Sequence, residues 1–352
     1  MTTAVLSSRP PHSARPRPHR RARRAPAALA GVAVGLALSG AALAAPPNYG
    51  LVGTFALPDA GPWDVSPVDG RIYRMSGTDI YRQDAVNGST YSRVGSLPAG
   101  SVNAFGASFI RVAPQGFSMA VGDGNFGAGA SVHIVSPAAL SPATPTTPQS
   151  FAVPNFDGAW LDFDTLIVTG GDANGSYAHT IDLGRSPAAA YRSLSGVGNG
   201  SGGVAVGPAG LYVGSGYQPS GEVRSFPASA FWTPTVNPPA PSPFSAGAYV
   251  ATALSASPLA VDGVGNLIIG GADYSASPPL GGVWVVNTAN PAERQFLDPA
   301  GGGIYGLDYN ETTRELILAS GGTAYRFAIP APGAAGLLAA AGAVAVRRRR
   351  RA

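Results

Sequence analysis

The chain has 352 residues, 48 of them Gly and 33 Pro, with no Cys and only 12% charged residues. This composition excludes a coiled coil, a disulfide-stapled mini-protein, a Cys-ligated zinc site and a cysteine nucleophile, while 45% hydrophobic residues suffice for a large core. All 23 basic residues are Arg and twelve sit in terminal clusters, so residues 46–329 carry eleven Arg against nineteen Asp and Glu; such an acidic body repels phosphate backbones and excludes nucleic acid as a partner.

The first segment, residues 1–45, reads as a signal peptide. Seven Arg precede the apolar run that starts at Pro26, and Ala42-Leu43-Ala44 then supplies the small residues that a signal peptidase accepts. Cleavage is expected after Ala44 or Ala45. The pairs Arg20-Arg21 and Arg23-Arg24 suggest a twin-arginine signal, but they lack apolar residues soon after them, which favours the general secretory route.

Residues 46–329 are a repeat. Six times, at intervals of about 45–55 residues, an apolar run leads into Gly or Ser: at Ile72, Phe117, Leu166, Leu211, Leu267 and Leu316. Each run is the second strand of a four-strand period. First strands are expected at Trp63–Val65, Phe109–Val112, Trp160–Phe163, Val204–Val206, Leu259–Val261 and Tyr305–Leu307. Third strands follow at Asp79–Arg82, Val132–Val135, Ala178–Ile181, Glu222–Phe226, Val283–Val286 and Ala324–Phe327, several alternating apolar with polar. Fourth strands stand at Tyr91–Leu97, Phe151–Val153, Tyr191–Leu194, Tyr249–Leu254 and Arg294–Leu297. The sixth period stops at its third strand, and the missing fourth is found at the other end, Thr54–Pro58. An open ring would leave a bare edge, so the N-terminal strand is expected to join the last blade. The fold expected is an all-β, six-bladed β-propeller. Two Pro-rich stretches, Ser136–Pro148 and Trp232–Pro243, read as loops between third and fourth strands on the outer rim.

Residues 330–352 form a distinct tail: Pro330-Ala331-Pro332, fourteen uncharged residues from Gly333 to Val346, then Arg347, Arg348, Arg349, Arg350 and Arg351. A helix of that length covers ~21 Å, so it crosses a ~30 Å hydrocarbon layer only with snorkelling Arg and local thinning. Both Arg clusters should stay cytoplasmic, which places the body across the inner membrane. The tail resembles the PEP-CTERM family of sorting signals, with Ala331 where that family has Glu. The resemblance implies cleavage by an exosortase-type protease and transfer to the cell surface or extracellular matrix. In the body, Leu259–Ile269 resembles blades of NHL and gluconolactonase-type propellers, in which Asp at the first turn precedes Gly and an apolar strand. Metal lactonases of that kind need a channel Glu, and Glu222, Glu293, Glu311 and Glu315 do not begin first strands.

For chemistry, the body has only His133 and His179, both in third strands, where exposed or locally hydrogen-bonded histidine is expected. No Gly-x-Ser-x-Gly elbow joins a strand to a helix. Asp79, Asp123, Asp172 and Asp273 fall in turns between second and third strands, which share a face with the interblade loops holding Asp59, Asp157 and Asp298. Carboxylates gathered there could hold Ca²⁺ or a cationic ligand. Asp-Gly and Asn-Gly are equally hairpin residues, which favours turn chemistry over metal. Trp63, Trp160 and Trp284 are expected in the wedges between blades rather than stacking on sugars. The function expected is a non-enzymatic binding or scaffold module for a polysaccharide or protein at the surface or in the matrix. The alternative is a secreted hydrolase or lyase working through aspartates, with Ca²⁺ as its one candidate cofactor.

Overall fold

The second strands are apolar at consecutive positions because both of their faces are covered. Ile268 points into one interblade core, while its neighbours Leu267 and Ile269 point into another. A strand sandwiched between two sheets reads as a continuous apolar run rather than as an alternation. In the computed structural model, residues 48–330 are described, apart from 59–60, 126, 128, 199–201, 209, 217–220, 232–239, 274–276, 278–279 and 300.

The strands form six sheets. Strand β1 (Gly50–Ala56) is followed by blade 1, comprising β2 (Trp63–Val65), β3 (Ile72–Ser76), β4 (Asp79–Gln83) and β5 (Tyr91–Ser96). Blade 2 holds β6 (Ile110–Val112), β7 (Met119–Gly122), β8 (Val132–Val135) and β9 (Gln149–Phe151). Blade 3 holds β10 (Asp157–Trp160), β11 (Thr165–Asp172), β12 (Gly175–Asp182) and β13 (Ala189–Ser195). Blade 4 holds β14 (Val204–Gly207), β15 (Gly210–Gly214) and β16 (Gly221–Phe226); the short β17 (Ser242–Pro243) precedes its outer strand β18 (Ala248–Ala253). Blade 5 is β19 (Leu259–Val261), β20 (Asn266–Asp273), β21 (Leu280–Asn287) and β22 (Arg294–Leu297). Blade 6 is β23 (Gly306–Asn310), β24 (Glu315–Ser320) and β25 (Thr323–Ala328), completed by β1.

The first strands touch one another around the axis: β2 with β6, β6 with β10, β10 with β14, β14 with β19, β19 with β23 and β23 with β2. Six apolar cores fill the wedges between consecutive blades, including the one that joins blade 6 to blade 1. The chain is therefore a closed six-bladed β-propeller. Closure takes the expected form: β1 runs antiparallel to β25, Thr54 opposite Tyr325 and Phe55 opposite Ala324. Phe55 and Leu57 are buried with Trp63, Val65 and Ile72 of blade 1. Just before β1, Tyr49 is wedged into the core between blades 5 and 6. Its hydroxyl donates to Asp262 (2.8 Å), and Gln295 accepts from its backbone N–H and donates to its carbonyl.

Three details depart from the sequence reading. The fourth strand of blade 2 is Gln149–Phe151, not Phe151–Val153. The first strand of blade 3 is Asp157–Trp160, not Trp160–Phe163. The Asp162 carboxylate accepts the backbone N–H of Asp164 and Thr165, folding residues after Trp160 into the hairpin turn. The Pro-rich excursions lie between third and fourth strands as expected, but their described parts, residues 136–148 and 240–243, are more than loops. Each reaches back over the preceding blade. The N–H of Thr146 donates to Ser96 O and Leu140 packs over Gly95, while β17 adds a parallel fifth strand to β13. Both thereby cover an outer edge that would otherwise be a pairing template.

The residues expected to carry signal cleavage, Ala44 and Ala45, lie outside the described residues. So do Ala331, Pro332 and Arg347–Arg351 of the tail. Pro330, the last described residue, is exposed. Among the described residues no helix is long and apolar enough to cross a membrane.

Candidate functional site: the channel and its mouth

Three inner strands carry a charge at their middle, Asp64, Arg111 and Asp308, and a fourth charge, Asp157, stands at the start of β10. Arg111 of β6 is the hub. Its Nε donates to the carbonyl of Gly158 (2.7 Å), Nη1 to the carbonyl of Ile110 and to Asp64 (3.3 Å), and Nη2 to Asp157 (2.6 Å). One guanidinium thus ties blades 1, 2 and 3 together, with its side chain only 18% exposed. Three aspartates act as latches between neighbouring inner strands. Asp64 accepts the N–H of Val112 (2.7 Å), Asp157 that of Val204 (3.2 Å) and Asp308 that of Val65 (2.8 Å). Blades 4 and 5 offer Ala205 and Ala260 instead, both within apolar cores.

Burial holds the Asp64 carboxyl well above the usual carboxylate range. The nearby Asp308 reinforces this, while Arg111 and the Val112 N–H oppose it. Burial also raises Asp308, against the pull of Arg111, two backbone N–H groups and a hydrogen bond from Asp64. Burial and mutual repulsion thus favour one proton held within the Asp64–Asp308 pair. Asp157 is likewise raised by burial against Arg111. For Arg111, burial would lower the guanidinium, but Asp157, Asp64 and Asp308 together more than reverse it, so it stays charged.

This arrangement gives a pH signature. In the unfolded chain Asp64 ionises near pH 4, while in the propeller it keeps its proton to higher pH. A raised carboxyl contributes stability that is present below the unfolded value and lost as pH rises through the folded one. Asp64→Asn mimics the protonated form, with the amide donating to Asp308 and the carbonyl accepting Val112 N–H. Denaturant titrations between about pH 4 and 8 should show the wild type losing stability with slopes up to ~1.4 kcal/mol per pH unit, and the variant a flatter profile. Identical profiles would refute the shared proton.

Above this hub, at the face of the interblade loops, the channel opens into a cavity of about 460 Å³ lined in part by Trp63, Phe109, Arg111, Asp157, Ser257 and Tyr305. Its floor depends on close approach. Gly61 has φ +86°, and a Cβ there would lie 2.6 Å from the Met75 carbonyl. Aromatic faces, hydroxyls and backbone groups dominate the wall, and its charged members are already paired with one another.

The aspartates expected from sequence lie elsewhere, with one exception. Asp157 sits at the start of β10 and lines the cavity. Asp79 pairs with Arg93 (2.8 Å) and Asp172 with Arg192 (3.1 Å), each within its own blade. Asp123 accepts from the N–H of Asn125 and Ser131 and from both side-chain amides of Asn125 and Asn155. Asp273 closes β20 opposite Leu280, and its side chain is not among those described. Among the described residues, no three His, Cys, Asp or Glu side chains gather as metal ligands. Asp123 and Asp172 each accept the N–H two residues on, which is turn chemistry.

His133 is locally bonded, to Ser150 Oγ and the Ser101 carbonyl. His179 differs from expectation, being neither exposed nor bonded. It is buried against Tyr177, its Nδ1 has no partner, and burial with help from Arg192 lowers it to about 4, so it is neutral at neutral pH. Trp63 and Trp160 fill interblade wedges, Trp160 donating its indole N–H to the Arg111 carbonyl. Trp284 is partly buried under Arg294. Sequence reasoning missed Asp64, Arg111 and Asp308 as a set. The available signal was a charge at the middle of a three- to five-residue inner strand, where Val or Ala is the ordinary occupant.

No protein-family model matches the sequence, and no curated protein matches it. Among solved structures, the chain is similar to one in a crystal structure of a mitotic checkpoint complex, at 13% identity and a TM-score of 0.46, covering 94% of this chain and 99% of that one. A likeness so distant carries no argument, and the propeller assignment rests on the strand pairing itself.

Proposed function

We propose that the protein is an exported propeller that binds an uncharged polysaccharide in its channel mouth, presented from the inner membrane by its tail and passed to the surface or matrix by an exosortase-type protease. The export and sorting parts rest on the signal peptide, the short apolar run and the terminal Arg cluster. The observation that carries the binding part is the cavity itself: it is open, Tyr305 stands exposed on its wall, and its charges are committed to latching the blades. Sugar rings stack on such aromatic faces and take hydrogen bonds from hydroxyl and backbone groups.

The second reading, a secreted hydrolase or lyase, draws on the shared proton of Asp64 and Asp308. Hydrolysis of a glycosidic bond, however, uses two carboxyls about 5–10 Å apart that reach the substrate. These two are in hydrogen-bond contact, with Asp64 only 5% exposed. The discriminating experiment is a glycan and metal array probed with the full chain, with and without chelator, followed by product analysis on each retained glycan. Retention without turnover is expected, falling on the order of tenfold in Tyr305→Ala, which removes one stacking face. Retention indifferent to Tyr305→Ala would remove the channel mouth as the seat, and product release would establish the enzyme.

A further inference from the structure

The two faces of the propeller differ. On the face opposite the cavity, the turns joining first to second strands meet around the axis. A Cβ on Gly116 would touch Val68 of the neighbouring blade, one on Gly70 would touch Thr312, and one on Gly265 would come within 3.9 Å of Pro208. Four of these turns raise a large apolar side chain into solvent: Val68 is 58% exposed, Phe117 72%, Phe163 55% and Val264 50%. The local cause recurs. Ser66 Oγ accepts the N–H of Val68, and the Asp162 and Asp262 carboxylates accept N–H groups two residues on, at Asp164 and Val264. The polar side chain is drawn back onto its own turn and the apolar residue is thrust outward. Single exposed apolar residues are ordinary. Four at equivalent turns on one face form a patterned patch.

The chain leaves the propeller from that same face. Ala328, the end of β25, pairs with Glu315 and with Gly50, level with the turn formed by residues 311–314. Only Ala331 and Pro332 separate Pro330 from the apolar run that starts at Gly333. Three fully extended residue steps reach at most ~10 Å. The headgroup layer between water and hydrocarbon is itself roughly 5–8 Å thick. If the run enters the bilayer, the face cannot stand away from it.

We propose that this face is a membrane-docking surface: Val68, Phe117, Phe163 and Val264 rest in the interface of the bilayer that holds the tail, and the cavity points away from it. The proposal rests on the anchor reading given above. It names a lipid surface as occupant because the tether is too short for anything else to lie between. The exposed edge of β1, with Leu51 and Val52, lies beside the exit and extends the patch. The same turns carry Asp69, Asp162, Asp164 and Glu311 against Arg71 and Arg314, so uncharged headgroups suit the face better than anionic ones.

The absence of Cys makes the test direct. Full chain carrying Phe117→Cys or Phe105→Cys is labelled with an environment-sensitive fluorophore and reconstituted into phosphatidylcholine vesicles containing nitroxide-labelled lipid. Phe105 is 99% exposed in a loop on the cavity side and serves as the reference position. Co-sedimentation with vesicles reports the anchor, and quenching reports the face. Sedimentation with quenching at 117 several-fold greater than at 105 is the expected result. Sedimentation with equal or no quenching would overturn docking and leave the anchor standing. Failure to sediment would overturn the anchor, and docking with it. A label at 117 already shielded before vesicles are added would show that a second copy covers the face, which also overturns the proposal.

Discussion

A chain lacking residues 1–57 should not form a monomeric propeller. The deletion bares the edge of β25 and empties the wedge that Phe55 and Leu57 fill. It also removes Tyr49 from between blades 5 and 6 and the bond from Leu57 N–H to the Gly322 carbonyl. Each of these three side chains is worth roughly 1.5–3 kcal/mol of burial. Their sum, with the ladder of β1, is comparable to the whole stability of an ordinary domain, about 5–15 kcal/mol. Soluble aggregates and loss of near-ultraviolet dichroism are therefore expected, with recovery when a peptide of residues 48–58 is added in trans. The milder Phe55→Ala should cost about 3–5 kcal/mol. A truncated chain that stays monomeric with an unchanged melting temperature would mean that β1 is dispensable and that the ring holds without it.

Arg111→Met should be the most damaging single change in the channel. The thioether chain fills similar space but leaves Asp157 and Asp64 buried beside no positive charge, and the Gly158 carbonyl without its donor. Breaking a buried pair from one side costs about 3–5 kcal/mol, which corresponds to a melting temperature lowered on the order of 10 °C. Adding Asp157→Asn to Arg111→Met should recover part of the loss, since the orphaned charge is removed. If the single variant melted within about 2 °C of the wild type, the guanidinium would not be the hub that its bonds suggest. Arg111→Lys should fall between the two, because an ammonium cannot reach Gly158, Asp64 and Asp157 at once.

The architecture was legible because it is written in local patterns. Leu267-Ile268-Ile269 and its five counterparts are buried on both faces, and that double burial leaves runs that recur at blade spacing. The displaced fourth strand could be read because a closed ring leaves one strand's worth of sequence at the wrong end, and Phe55 indeed lies opposite Ala324. Misreading arose where a side chain overrides strand propensity. Trp160 looked like the start of a strand, yet Asp162 bends the chain straight after it. The axial cluster was harder. Asp64, Arg111, Asp157 and Asp308 meet only because separate blades converge, and no spacing within one repeat marks that meeting. The turn aspartates, conspicuous in sequence, are taken up by Arg93, Arg192 and neighbouring backbone.

The strand pairing that shuts the wheel also sets an order of events. Synthesis delivers β1 first and its partner β25 last, so the earliest segment to emerge must wait, unpaired, for nearly the whole body to follow. Blades 1 to 5 contain all their own strands and can assemble in turn, whereas blade 6 cannot be finished until both ends are free to meet. A contact so distant along the chain makes the last step of folding slow. During that interval the newborn protein is an open arc with an adhesive strand at each tip, and a chaperone that shields Gly50–Ala56 would act at the point where help is most effective.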